Sequence, residues 1–137
     1  KSRFIMKLIS TGRSREEVYI RRAIIVKELS PLIGTSVPCG AFGGKCVEIL
    51  YNSVDETATR TSQRYESTLA AMRLVEALRK SSLIGVDIPK NKQKKKMYFT
   101  KIYELRATLT NLGKVKIIVG ERNNKRMIHY CITKKKE

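Results

Sequence analysis

The strongest constraint on the fold is a pair of segments near the C-terminal end, residues 114–120 and 127–133, joined by a polar turn at 121–126. Successive side chains of a strand point to opposite faces, so pairing of these segments as a β-hairpin sorts their side chains into two sets. The apolar set is expected to face the core: Val115, Ile117, Val119, Ile128, Tyr130 and Ile132. The other set is expected on the outer face: Lys114, Lys116, His129, Cys131 and Thr133.

A third strand is predicted just before this hairpin. Residues 98–109 are rich in β-branched and aromatic side chains and end at a turn, Asn111-Leu-Gly113. Tyr103, Leu105, Ala107 and Leu109 share the core parity, whereas Glu104, Arg106 and Thr108 share the outer one. The sequence therefore predicts an antiparallel sheet of at least three strands over about 97–133.

Helices are predicted ahead of the sheet. Ser14 to Glu17 has the spacing of a capping box, and apolar residues follow until Pro31, which indicates a helix over about 14–30. The same spacing at Ser53 to Glu56, followed by apolar residues every three or four positions, predicts a helix over about 55–81. Residues 46–51 are interpreted as a strand or as an extension packed on the helices.

This order predicts the α+β class, with N-terminal helices packed on one face of a C-terminal antiparallel sheet. We expect one domain over 1–137, comprising a helical part at about 14–81, a basic loop at 89–96, the sheet and a basic tail at 134–137. The chain has no starting methionine, which leads us to expect more polypeptide upstream of Lys1.

The charge balance points to a polyanionic partner. Lys and Arg number 29 against 12 Asp and Glu, which gives a net charge of +17. An excess of this size favours nucleic acid as the partner, with a membrane surface as the second candidate. The predicted nucleic-acid-binding residues are Lys90, Lys92, Lys94, Lys95, Lys96, Lys114, Arg122, Lys125 and Arg126.

Several kinds of site and location are disfavoured. No apolar run is long enough to span a bilayer, and the three cysteines lack the spacing of a disulfide framework, so we expect a reducing, cytoplasmic setting. Cys39, Cys46, Cys131 and His129 make a poor template for zinc, so we expect no metal and no cofactor. Gly40 to Cys46 is one residue short of a phosphate loop and is interpreted as a turn.

The outer face of the predicted sheet carries groups suited to RNA cleavage. His129 is a candidate general acid or base and Glu104 the complementary base, while Arg106 and Lys116 are candidate phosphate clamps. Such a reaction abstracts the ribose 2′-OH proton and needs no metal. Alternation of polar and apolar residues in a solvated strand produces the same pattern without any function. Ile102 and Ile118 break the alternation, so a bulge or a second layer would change the set.

The stretch 53–133, with Asp55-Glu-Thr, the periodic segment 65–78, Leu112-Gly-Lys-Val-Lys116 and His129-Tyr-Cys-Ile-Thr133, resembles the superfamily of barnase, EndoU, colicin and RelE-like ribonucleases, in its phage and mobile-element branch. The resemblance implies a metal-independent RNA endonuclease, a toxin or effector module acting on RNA such as tRNA, and it adds Thr133 to the candidate catalytic residues. It also implies an acidic immunity or antitoxin protein as a partner. Members with two histidines differ from this chain, which has one.

Two other functions remain open from the sequence. Charge and aromatic residues explain nucleic-acid binding without any acid–base pair, so a non-catalytic binding domain of a phage or mobile-element protein is the main alternative. A structural or partner-binding module is the third.

Overall fold

The structure, a computed structural model, describes residues 9–89 and 99–135. In chain order its helices and strands are α1 (Arg15–Leu29), β1 (Thr35–Pro38), β2 (Cys46–Ile49), α2 (Tyr51–Thr61), α3 (Tyr65–Met72), α4 (Leu74–Lys80), β3 (Ser82–Asp87), β4 (Lys101–Leu109), β5 (Gly113–Glu121) and β6 (Met127–Lys134). Within the described residues the strands form one six-stranded sheet in the order β1-β2-β6-β5-β4-β3. Neighbouring strands are antiparallel except β2 and β6, which are parallel. The predicted α+β class is confirmed.

The first helix begins where the capping box predicts. The Glu17 backbone N–H donates to the Ser14 hydroxyl at 3.1 Å, and the Ser14 backbone N–H donates back to the Glu17 carboxylate at 3.3 Å. Arg21, Ile25 and Leu29 recur every four residues and are the buried positions of α1. The predicted helix over 14–30 is therefore confirmed.

The single helix predicted over 55–81 is wrong, because this segment forms the three short helices α2, α3 and α4. The break after α2 is stabilised by side chains that bind its backbone carbonyls. The Arg21 Nε donates to the Ser62 carbonyl at 2.9 Å, and the Thr68 hydroxyl lies 2.9 Å from the carbonyls of Thr61 and Arg64. The Arg21 contact comes from another helix, far away in the sequence, so the periodicity of this segment alone did not reveal the break.

The helices lie on one side of the sheet, which we call the helix face. On this side α2 and α3 pack against β6 and α4 packs against β4, while α1 covers α2 and α3. The buried strand side chains beneath them are Leu105, Ala107, Leu109, Val115, Ile117, Val119 and Ile132. The core positions predicted on β4 and β5 are thus confirmed.

A short 3-10 helix at Gly40–Phe42 connects the two ends of the sheet. The Ala41 N–H donates to the Ser81 hydroxyl at 3.3 Å, just before β3, and the Phe42 ring meets the Tyr103 ring edge to face at 5.2 Å. Gly43 and Gly44 follow with positive φ, so the Gly-rich segment is a turn, as predicted. The sheet therefore curves around the core, and this turn closes the side between β1 and β3.

Candidate nucleic-acid interface

The side of the sheet opposite the helix face is called the open face. Directly opposed residues of antiparallel strands point to the same face, so the register of β4, β5 and β6 defines cross-strand rows on it. One row consists of Glu104, Ile118 and Cys131, and the next consists of Arg106, Lys116 and Thr133. The structure therefore brings Glu104, Arg106, Lys116 and Thr133 together on one surface, as their parity predicts.

Cations predominate in the second of these rows. Arg106 and Lys116 are direct cross-strand partners. Arg106 Nη2 lies 3.5 Å from Glu104 Oε2, and the two side chains are 39% and 33% exposed. One carboxylate thus faces two cations, so the surface keeps an excess of positive charge with hydrogen-bond donors that suit an anion.

A group from α2 and β6 forms the rim of this surface, and the sequence reasoning missed its role. Arg60 Nε lies 2.7 Å from Glu56 Oε2, and its guanidinium lies 5.3 Å from the centre of the Tyr130 ring. The Tyr130 hydroxyl is 3.1 Å from the Glu56 carboxylate. The hydrogen bond between Arg60 and this carboxylate raises the pKa of Arg60. The four-residue spacing of Glu56 and Arg60 signals a helix pair, but only the docking of α2 against β6 places this pair beside the open face.

Cys131 lies in the first row with 6% of its surface exposed. Burial raises the pKa of its thiol to about 11, and the charges of Arg60 and Lys116 oppose that shift. The thiol is therefore neutral near pH 7 and is a poor nucleophile.

An apolar cluster covers the other half of the open face. It is centred on Phe99 and Ile128, with Leu50, Ile102 and Tyr130 packed against them. The Phe99 ring lies over Gly120, where a Cβ atom would collide with it. Access from solvent to the open face is therefore concentrated at the two rows described above.

His129 does not lie on the open face, so that prediction is wrong. Ile118 pairs with Cys131 but the next residue, Val119, pairs with His129, which leaves Tyr130 as an extra residue in β6. This β-bulge reverses the alternation of side chains. His129 moves to the helix face with 0% of its surface exposed. The bulge also overturns the predicted core positions of Ile128, which packs with Phe99 on the open face, and of Tyr130, which reaches the rim.

The His129 ring is held in its neutral form. Burial lowers its pKa to about 4, against a smaller opposing effect of the Cys131 backbone. Neither ring nitrogen makes a hydrogen bond of normal geometry with a described residue, so the nearby Cys131 backbone offsets the effect of burial only in part. Buried in this way, the ring makes no contact with a ligand on the open face.

The other predicted binding residues are dispersed. Lys114 is exposed and extends the open face beyond Lys116, two residues along β5. At the β5–β6 turn, Lys125 is 79% exposed, whereas Arg126 is bound by both carboxylate oxygens of Glu48, with Nε to Oε2 at 2.8 Å. Arg122 is half-buried in the same turn. The predicted basic loop falls almost wholly outside the described residues, as do these of its residues: Lys90, Lys92, Lys94, Lys95 and Lys96.

Comparisons of the chain with family models, with curated proteins and with solved structures give no match. The resemblance to ribonucleases therefore stays a prediction. Over the described ranges, no group of three His, Cys, Asp or Glu side chains is arranged to hold a metal ion. None of the helices in the described part of the chain has the length and apolar character needed to cross a bilayer.

Proposed function

We propose that the open face binds the phosphate backbone of a nucleic acid, with RNA as the expected ligand. The observation that carries this proposal is the row of Arg106, Lys116 and Thr133, which sets two cations and a hydroxyl side by side on the face of the sheet opposite the packed helices of the described residues. The net charge of +17 supports it, because a polyanion offsets the self-repulsion of such a chain.

Each member of the row suits a phosphate in a different way. The Arg106 guanidinium offers a planar fork of donors, and the Lys116 ammonium supplies a compact charge. The Thr133 hydroxyl is an additional donor. Lys114 lies two residues from Lys116 on the same strand face, which extends the cationic line by about 7 Å along β5.

The test is binding of a labelled single-stranded RNA over a range of salt concentrations, followed by fluorescence anisotropy. We expect the double variant Arg106→Ala with Lys116→Ala to bind more weakly, with a salt dependence whose slope falls by about 1.5 as two phosphate contacts are lost. The matched control is Arg15→Ala with Lys27→Ala, which removes the same charge from exposed positions of α1.

If the two double variants weaken RNA binding equally, net charge alone drives binding and the proposal for the open face is wrong. A duplex DNA of the same length, run in parallel, establishes whether RNA is preferred.

Metal-independent RNA cleavage is the second candidate, favoured by the position of Glu104 beside Arg106 and Lys116. In that reaction Glu104 would be the base, and Lys116 or Tyr130 the acid, because His129 is buried. The test is cleavage of total RNA and tRNA in EDTA by the wild-type chain and by Glu104→Gln. Cleavage that disappears in this variant while RNA binding persists would support an enzyme; binding without cleavage in both supports a binding domain.

The proposed cellular compartment and any protein partner depend on whether the chain binds RNA or also cleaves it. An RNA ligand places the site of action in a compartment that contains RNA, and we propose the cytoplasm. An acidic immunity or antitoxin protein is proposed only together with cleavage, since it is the ribonuclease resemblance that implies such a partner.

A further inference from the structure

The open face meets α2 at the edge of β6. Among the described residues, β2 pairs with β6 at a single position, Glu48 with Ile128, and the chain then turns into α2, which also packs against β6. Tyr130, the extra residue of the β-bulge, lies at this border. Its ring meets the Phe99 ring of the open face edge to face at 6.1 Å, and its hydroxyl is 3.1 Å from the Glu56 carboxylate of α2. The bulge therefore connects the open face to one side of α2.

Arg60 is held at this border by two partners. Its Nε donates to the Glu56 carboxylate at 2.7 Å, and its Nη2 donates to the Tyr130 hydroxyl at 3.1 Å. The guanidinium also lies 5.3 Å from the centre of the Tyr130 ring, which is a cation–π distance. The Arg60 side chain nevertheless keeps 43% of its surface exposed. Because Glu56 and Tyr130 use Nε and Nη2, Nη1 is the group that can donate to a ligand.

Arg60 lies close to the cations of the open face. Burial raises the pKa of the Cys131 thiol, and the charges of both Arg60 and Lys116 oppose this rise, so both cations lie within electrostatic reach of one sulfur atom. Lys116 is on the β5 side of β6, and Arg60 is on the α2 side. The row from Arg106 to Thr133 spans two strand spacings, about 10 Å, and Arg60 extends it beyond β6.

We propose that Arg60 is a further phosphate contact of the open face and that Glu56 and Tyr130 position it. The phosphate backbone then crosses the strands from Arg106 towards α2 instead of following β5 alone. This inference rests on the proposed function. The ion pair of Arg60 and Glu56 adds no net charge to the surface, so its contribution comes from the placement of guanidinium donors next to a phosphate oxygen and not from long-range attraction.

The first test removes the ion pair without changing the net charge. Arg60→Gln with Glu56→Gln is expected to weaken binding of labelled single-stranded RNA about threefold to tenfold, and to lower the salt slope by about 0.7, the share of one phosphate contact on a single strand. The matched control is Arg22→Gln with Asp55→Asn. This pair has the same 2.7 Å separation, its arginine is 41% exposed, and its removal is expected to leave RNA affinity unchanged. An unchanged affinity in the first variant, or equal losses in both, would overturn the proposal.

The second test measures the positioning role of Tyr130. Tyr130→Phe keeps the ring and removes the hydroxyl that accepts a hydrogen bond from Arg60, so RNA affinity is expected to fall about twofold to threefold. In the variant that already lacks Arg60 and Glu56, the same substitution is expected to have no effect, because Tyr130 acts through Arg60. Equal effects in the two backgrounds, or no effect in either, would contradict the positioning role.

The double variant Arg106→Ala with Lys116→Ala separates a failure of this inference from a failure of the proposed function. If that variant binds RNA like the wild-type chain, the proposed function is wrong and this inference fails with it. If it binds more weakly while removal of the Arg60–Glu56 pair has no effect, the proposed function stands and only the crossing path is wrong. Circular dichroism of each variant confirms folding.

Discussion

His129 lies directly opposite Val119 across β5 and β6, and both side chains are fully buried on the helix face. Their partnership depends on Tyr130, the extra residue that reverses the alternation of β6. A residue of a basic, polar hairpin is thereby placed among apolar side chains, where its charged form is disfavoured.

The buried histidine predicts a loss of stability in mild acid. The folded-state pKa of His129, about 4, lies below its ordinary value of 6.5, so the unfolded chain takes up the proton first. The contribution of the neutral His129 ring to stability is therefore complete when the pH is above the ordinary pKa of 6.5, and it is lost as the pH falls towards the folded-state pKa of about 4. From about pH 7 to about pH 5 the free energy of unfolding should fall by about 2 kcal/mol, as urea denaturation would measure.

The control for this effect is His129→Leu, in which the pH dependence over the same interval should be nearly flat. Glu17 does not interfere, because hydrogen bonds from Ser10 and Ser14 lower the pKa of its carboxyl to about 2. An unchanged slope in His129→Leu would show that another group causes the acid sensitivity.

Gly120 is predicted to be difficult to replace because a side chain at this position would meet the Phe99 ring. In Gly120→Ala the new methyl collides with the Phe99 ring, which should lower the free energy of unfolding by about 1–3 kcal/mol. Gly85→Ala is the matched variant, because nothing lies within 4 Å of a Cβ at that strand position. Thermal unfolding of the pair should give a clear loss for the first and almost none for the second; equal losses would argue against the packing of Phe99 on the open face.

Arg21 is predicted to stabilise the N-terminal part of the structure through its buried guanidinium. It donates to the carbonyls of Ser62 at 2.9 Å, Ser10 at 2.9 Å and Gly12 at 2.6 Å. Arg21→Leu leaves these carbonyls unpaired and should cost about 3 kcal/mol of unfolding free energy in denaturant titrations.

The adjacent Arg22 provides the comparison for this prediction. Its exposed ion pair with Asp55, at 2.7 Å, should contribute less than about 1 kcal/mol, so Arg22→Leu should change stability little. Similar losses in both variants would contradict the role assigned to the Arg21 hydrogen bonds.

Glu104 is predicted to weaken anion binding on the open face. Glu104→Gln removes the negative charge 3.5 Å from Arg106, so RNA affinity should rise about threefold to tenfold in anisotropy titrations. Glu16→Gln, at an exposed position in the first turn of α1, makes the same change of charge elsewhere and should have a much smaller effect. If both variants gain equally, net charge rather than local position sets the affinity.

Much of the fold could be predicted because local rules determine it. The capping box at Ser14 gives the start of α1, and two-residue alternation gives the faces of β4 and β5. The turn before β5 follows from Asn111 and Gly113, both of which adopt positive φ. The strand β3 was missed, since its apolar run is short and borders the segment interpreted as a long helix.

The sequence predicted the correct sheet face only for the site residues on one side of the bulge at Tyr130. Strict alternation of side chains holds in the part of the sheet that lies, in space, between the turn at Asn111–Gly113 and the bulge at Tyr130. Four predicted site residues belong to this part and share the open face, as expected: Glu104, Arg106, Lys116 and Thr133. The placement of His129 lies beyond the bulge and fails for that reason. The sequence did contain a signal for this bulge. Alternation places Ile118 on the predicted polar face, and an apolar side chain there indicates either a bulge or a layer that covers the face.

The last strand of the described residues lies in the middle of the sheet. β6 lies between β5 and β2, and both α2 and α3 rest on it. On the ribosome, the β1–β2 pair and the β3–β5 meander share no strand partner among the described residues until residues 127–134 have emerged from the exit tunnel, although α4 and the turn at Gly40–Phe42 already contact both parts. We therefore infer that the chain completes its fold only after synthesis has passed this strand, and that a product ending before it presents two separate sheet edges to chaperones and proteases.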